Sequence, residues 1–184
     1  MDRIENSTAQ NIAFFVALLA TALALGAALA HALELPNKIG MTREHYFIVQ
    51  RAYDGWNRIA YLLAVELAGM LAVIWLHRAE ARVLWPAVAA LGCLVAAQAI
   101  FWIWTFPANQ ATVNWTVQPE NWATLRSQWE YSHLAGAAFQ ALAMTALIVA
   151  VMRRGRGTRL EPWSAGAPPH EGSAEPRSER RPQF

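Results

Sequence analysis

Four stretches of the chain carry apolar residues almost without interruption: residues 12–35, 59–76, 84–106 and 132–152, each bounded by polar or charged positions. A helix crossing the hydrocarbon core of a bilayer needs roughly 20 mainly apolar residues, and all four stretches predict such a helix. The connection between the second and third is short, whereas residues 36–58 and 107–131 form long ones. With an even number of spans this pattern predicts an all-α fold, an integral membrane antiparallel four-helix bundle. Small residues such as Gly26, Ala30, Gly92 and Gly136 are expected where the helices approach one another.

The long connections have a periodicity of their own. Thr42 can cap a helix in which Tyr46, Val49 and Tyr53 recur at i, i+3 and i+7, ended by the turn at Asp54 and Gly55. Asn121 can cap a second one carrying Trp122, Leu125 and Trp129 at the same spacing. Both are read as short interfacial helices on the outer side of the bundle.

Composition agrees: 55% hydrophobic against 15% charged residues makes the bilayer the expected solvent. Residues 1–152 form the transmembrane domain. Beyond them the chain turns to Arg, Pro, Gly, Ser and Glu, and residues 153–184 are expected to form a disordered cytoplasmic tail. The run 12–35 is longer than a signal-peptide core, and Asp2 and Glu5 stand beside Arg3, so the first span is expected to be retained.

Charge sets the expected orientation. Arg78 and Arg82 in the short connection and Arg153, Arg154, Arg156 and Arg159 after the last span place these segments, and both termini, in the cytoplasm. Lys38, Arg43, Arg51, Arg58 and Arg126 on the long connections run against that bias. High Ala, Arg and Trp usage points to a multi-pass protein of a bacterial inner membrane. The formal net charge of +2 lies next to the membrane, where lipid headgroups are the partner, and nothing calls for nucleic acid. The single cysteine, Cys93, excludes an intrachain disulfide.

Ionisable residues in or at the end of a span are costly and are candidates for function. His31 with Glu34 and Glu130 with His133 should share a depth near the outer mouth, each pair at i, i+3 and therefore on one helix face. Carboxylate and imidazole pairs on facing helices build metal sites in bundles, so the four residues can hold a single transition metal. In an alternative reading the two histidines ligate a haem iron axially. In a third, Glu34 and Glu130 pair with Arg58, Arg126 or Lys38 while the histidines donate to backbone carbonyls. Deeper in the membrane, Glu66 has Gln98 and Gln140 as hydrogen-bonding partners, a seam that could relay protons or simply tie helices together. The outer tryptophans Trp102, Trp104, Trp115, Trp122 and Trp129 read first as an interfacial aromatic belt. Asn109, Asn114 and Arg126 among them can orient a planar ligand over Trp102, Trp122 and Trp129.

The run His31-Ala32-Leu33-Glu34-Leu35-Pro36-Asn37-Lys38 is accompanied further along by Pro107-Ala108-Asn109, Asn114, Trp122, Arg126, Trp129-Glu130 and His133. With these motifs, which leave the tail out, the chain resembles the anthrone oxygenase-like family of four-helix membrane proteins. For the fungal members the resemblance implies oxidation of an anthrone to an anthraquinone by molecular oxygen without an organic cofactor. It implies no catalytic set that transfers position by position.

The expected function is therefore that of an oxygen-dependent oxidoreductase acting on a hydrophobic phenolic or quinoid substrate at the outer mouth. Glu130 or His133 would remove a proton, and Arg126 and Asn109 would stabilise the oxyanion. Either no cofactor or one transition metal is expected. The rival reading is a non-enzymatic accessory subunit whose outer loops and tail dock on a membrane partner. A homo-oligomer is open in both.

Overall fold

The computed structural model describes residues 2–154, with side chains from residue 7 onward. The expected tail lies outside the described residues except for Arg153 and Arg154, which close the last helix. Among the described residues the secondary structure is helical throughout. Helix α1 covers Asp2–Lys38, α2 Arg43–Gln50, α3 Ile59–Leu76, α4 Ala81–Ile100, α5 Phe106–Ala111 and α6 Trp122–Arg154. Four helical segments are long and apolar enough to cross a membrane, Ser7–Lys38, Trp56–Leu76, Ala81–Ala111 and Trp122–Arg154, the layout of a multi-pass membrane protein.

Helix α6 packs against both α1 and α4, α1 against α3, and α3 against α4. The end of α1 meets α6 near its start, through Lys38 and Glu130. At the opposite end Arg154 bonds to Asn11 and Gln10 of α1, at 2.7 and 3.0 Å. Phe14, Ala17, Met70, Val73, Leu94 and Leu147 belong to the core between these helices.

Helix contacts do not form at the glycines expected from sequence. A side chain at Gly26, Gly92 or Gly136 would meet nothing within 4 Å. The close approach is at Gly69, where a Cβ would lie 2.9 Å from the backbone N and Cα of Ala17. Only a glycine lets α3 come that near α1.

Three boundaries differ from the sequence reading. Pro36 lies inside α1 rather than beyond it. Three residues from the helix end a missing N–H costs a single hydrogen bond, and the helix continues to Lys38. The segment expected as a separate helix before the fourth span is continuous with it, so Trp122, Leu125 and Trp129 occupy the first turns of α6. The third span widens into a π-helical turn at Phe101–Thr105 before α5. Pro107 follows directly; its ring conflicts with the carbonyl four residues back, and a wider turn relieves the conflict. That turn is tied to α6 by the Thr105 and Ser132 hydroxyls at 2.7 Å and by Gln128 donating to the Trp104 carbonyl at 2.7 Å.

Thr42 caps α2 as expected, its hydroxyl accepting from the His45 amide, and the turn is completed by Gly55 in the left-handed region. After α5 the chain makes a left-handed turn of three non-glycine residues, Val113, Asn114 and Trp115, with φ of 49°, 52° and 62°. Such residues cost roughly 1–2 kcal/mol each, so the surroundings must hold them. The Trp115 amide donates to Thr112 Oγ1 at 3.1 Å, and the buried Trp115 ring packs among Tyr46, Phe47 and Trp129.

Candidate functional site

α2, the turn 112–117 and the start of α6 form a second apolar core over one end of the bundle, made of Tyr46, Phe47, Ala108, Trp115, Leu125 and Trp129. Beneath this cap the end of α1 delivers Lys38 to Glu130. The ammonium is 3.0 Å from Glu130 Oε1, with both side chains almost wholly buried at 2% and 0% exposure. The same oxygen accepts from the Tyr46 hydroxyl at 2.9 Å, and Tyr46 in turn accepts from Gln50. Lys38 also donates to the Tyr53 hydroxyl at 3.1 Å, and Tyr53 donates to Glu34. Glu34 lies 3.8 Å from Lys38 one helical turn back, its own side chain 46% exposed. One buried lysine thus joins two carboxylates and two phenols.

Lys38 also sits over three rings, 4.5 Å from the centroid of Tyr53, 4.6 Å from that of Trp129 and 5.7 Å from that of Tyr46. Both tyrosine hydroxyls are held well above the ordinary tyrosine pKa. Burial is the main cause for Tyr46, then the charge of Glu130; for Tyr53 burial again leads, then the hydrogen bond to Glu34.

His31 and His133 meet across α1 and α6, ring centroids 4.4 Å apart and ring planes tilted by 51°. Trp129 touches both, at 5.1 and 3.9 Å, while Tyr53 and Trp56 lie against His31 at 4.5 and 5.0 Å. His133 Nδ1 is 2.9 Å from the Trp129 carbonyl, which can only accept, so Nδ1 carries the proton and Nε2 the lone pair. His31 Nδ1 is buried without a hydrogen-bond partner.

The cluster has a sealed side and an open one. Tyr46, Gln50, Trp115 and Glu130 are buried, whereas Tyr53, Trp56, His133 and Glu34 are partly exposed along the edge between α1, the 53–56 turn and α6.

The four residues expected to hold a metal are brought together, but not as ligands. Among the described residues no three His, Cys, Asp or Glu side chains converge on a metal position. The reason is electrostatic: the Lys38 ammonium occupies the place between the carboxylates that a cation would need. The two imidazoles are in ring contact, with no space for a porphyrin between them as they lie here. The third reading describes the pairing best. Lys38 takes both carboxylates and His133 donates to a carbonyl, while Arg58 and Arg126 take no part in ion pairs among the described residues.

Both residues expected as oxyanion donors hold contacts within the cap. Asn109 Oδ1 accepts from the indole N–H of Trp129 at 2.9 Å and of Trp115 at 3.1 Å, which fixes the cap. Arg126 donates to the Met41 carbonyl at 2.7 Å and stacks 4.6 Å from Trp122. Asn114 is exposed within the left-handed turn, and Trp102 is 58% exposed on the π-helical turn, its ring 4.9 Å from that of Phe106 and tilted against it. Trp122 is half-buried on the rim of the cap, and of the tryptophans expected to bind substrate only Trp129 reaches the histidines. Deeper in the bundle Gln140 donates to Glu66, and Gln98 takes no part in that bond.

Tyr46, Gln50 and Tyr53 are the members that sequence reasoning did not place here, whereas Lys38 entered it as one of three candidate partners of Glu34 and Glu130. Ending the first helix at Leu35 left Lys38 off its face. Continued to its end, the helix puts Lys38 four residues after Glu34 and seven after His31, on the same face.

Comparison with protein-family models, curated proteins and solved structures finds no match to this chain.

Proposed function

We propose that the chain is an antiparallel four-helix membrane bundle with both termini in the cytoplasm, whose cap at the outer face oxidises a hydrophobic phenolic or quinoid substrate with molecular oxygen. The pairing of the two ends of α1 with opposite ends of α6 supports the antiparallel layout. The observation that carries the chemical reading is the half-buried His133, presenting an Nε2 lone pair at the open edge beside a buried Lys38 ammonium. The substrate reaches that edge from the bilayer. His133 takes a proton from it, and the anion is stabilised through space by Lys38, which lies over the Trp129 ring that His133 touches. In a low-dielectric, water-poor setting a charge one ring away still acts strongly. For a substrate of the anthrone kind, the activated carbon loses two hydrogens and gains one oxygen atom of dioxygen, and the second oxygen leaves as water.

The test is oxygen uptake by purified protein in detergent with a phenolic or anthrone-type substrate. His133→Ala in a folded variant is expected to lower the rate by about 100-fold or more. An unchanged rate would refute the assignment.

One observation favours a second reading, an accessory subunit. Ile48, 68% exposed, lines an open cleft of about 310 Å³ between α2 and the left-handed turn, where Val113 and Val117 are also exposed. A partner docking there would cover them. Wild-type protein that takes up no oxygen with any such substrate, yet co-purifies with a fixed membrane partner, would support it.

A further inference from the structure

The sealed side of the cap is too closely packed to admit a ligand, but it is built to move an electron. Tyr53, Trp129, Trp115 and Tyr46 follow one another at ring-centroid distances of 5.5, 6.1 and 5.1 Å. All four are readily oxidised side chains. The two that end the series are phenols, and each donates its hydroxyl proton to a carboxylate, Tyr53 to Glu34 and Tyr46 to Glu130. A phenol that loses an electron becomes a strong acid, so it is oxidised easily only where a base waits at hydrogen-bond distance. Glu130 meets that need away from water, with a second carboxylate oxygen that has no partner.

We propose that Tyr46 is a one-electron reservoir, oxidised to a neutral tyrosyl radical through the Tyr53-Trp129-Trp115 series with its proton passing to Glu130. The oxidant is an organic radical or a dioxygen-derived radical at the open edge, which takes the electron. The hydroxyl bond of Tyr46 breaks and a hydroxyl bond on the Glu130 carboxyl forms, so charge in the sealed cap changes only by the electron that leaves. The raised pKa of Tyr46 fits this role, since the phenol keeps its proton until the electron goes. Lys38 adds a restraint. A cation over Tyr53 and Trp129 makes a positive hole unfavourable on those rings, so the hole comes to rest on Tyr46, where the ammonium is more distant and loss of the proton leaves no charge on the ring. The inference stands on this geometry and not on the oxygenase reading, and its test needs no substrate.

The experiment is photo-oxidation of the detergent-purified full chain with a ruthenium photosensitiser and a sacrificial electron acceptor, followed by low-temperature electron paramagnetic resonance. A neutral tyrosyl signal is expected in the wild type, narrowed when ring-deuterated tyrosine is incorporated. The chain has four tyrosines, so the triple variant Tyr53→Phe, Tyr61→Phe, Tyr131→Phe leaves Tyr46 alone, and the signal must persist in it, though formed more slowly. Tyr46→Phe must lose the signal, and Glu130→Gln, which can still accept a hydrogen bond but not the proton, must lose most of it. A wild type that yields only tryptophan radicals, a triple variant without signal, or a Glu130→Gln variant with full signal would each overturn the proposal. Because the triple variant leaves Tyr46 and Glu130 intact, it decides the matter even where Tyr46→Phe fails to fold.

Discussion

Replacing Lys38 by Met tests whether the cap is organised by charge. The methionine keeps most of the apolar stem but removes the ammonium, leaving Glu130 at 1% exposure with its charge facing only the Tyr46 hydroxyl. Breaking a buried ion pair by removing one partner costs about 3–5 kcal/mol, because the remaining charge is neither hydrated nor matched. At about 2–4 °C per kcal/mol for a domain of this size, the midpoint should fall by about 6–20 °C. Thermal unfolding of the detergent-solubilised protein, followed by circular dichroism, reads this directly. The double variant Lys38→Met, Glu130→Gln separates charge from packing. It removes the stranded charge and keeps an acceptor for Tyr46, so at least half of the lost stability should return. A Lys38→Met protein as stable as the wild type, or a double variant no better than the single one, would refute the reasoning.

Two further outcomes follow from the geometry. Gly69→Ala places a methyl group 2.9 Å from the Ala17 backbone and should cost about 1–3 kcal/mol through forced separation of α1 and α3, whereas Gly26→Ala, with nothing within 4 Å, should leave thermal stability unchanged or slightly raised. Tyr46 and Tyr53 are held above the ordinary tyrosine pKa, so the native state keeps these protons longer than the unfolded chain does. Their contribution is complete below about pH 10, the unfolded value, and is lost as pH rises beyond it. Stability measured against pH should therefore fall above about pH 10, and the fall should be shallower in a Tyr46→Phe, Tyr53→Phe variant.

Much of the site is visible in the sequence once the histidines and glutamates at i, i+3 are put at one depth, since the helical repeat and span length determine both. His31 and His133 do meet, and Glu34 and Glu130 do lie beside them. Which of the offered pairings those residues adopt was not legible. A metal and a lysine satisfy two neighbouring carboxylates, one buried and one half-exposed, equally well in terms of charge, and the choice turned on the helix running past Pro36 to Lys38. Asn109 and Arg126 show the same limit. Their donors and acceptors could serve a ligand or the protein, and only the positions of Trp115, Trp129 and the Met41 carbonyl show which protein contacts they make.

The sequence by itself determined the number of long apolar helices, their approximate bounds and the polar residues near one end, because hydropathy and the helical repeat are local properties. It also carried the cap of α2 at Thr42, a bond three residues long. The tertiary structure alone decided which glycine is a helix contact, that the third span widens before Pro107, that three residues adopt the left-handed region, and that Lys38 rather than a metal holds the carboxylates. Each depends on which surfaces face each other across segments remote in the chain. That is settled by packing and by the cost of an unpaired buried charge, neither of which a local pattern records.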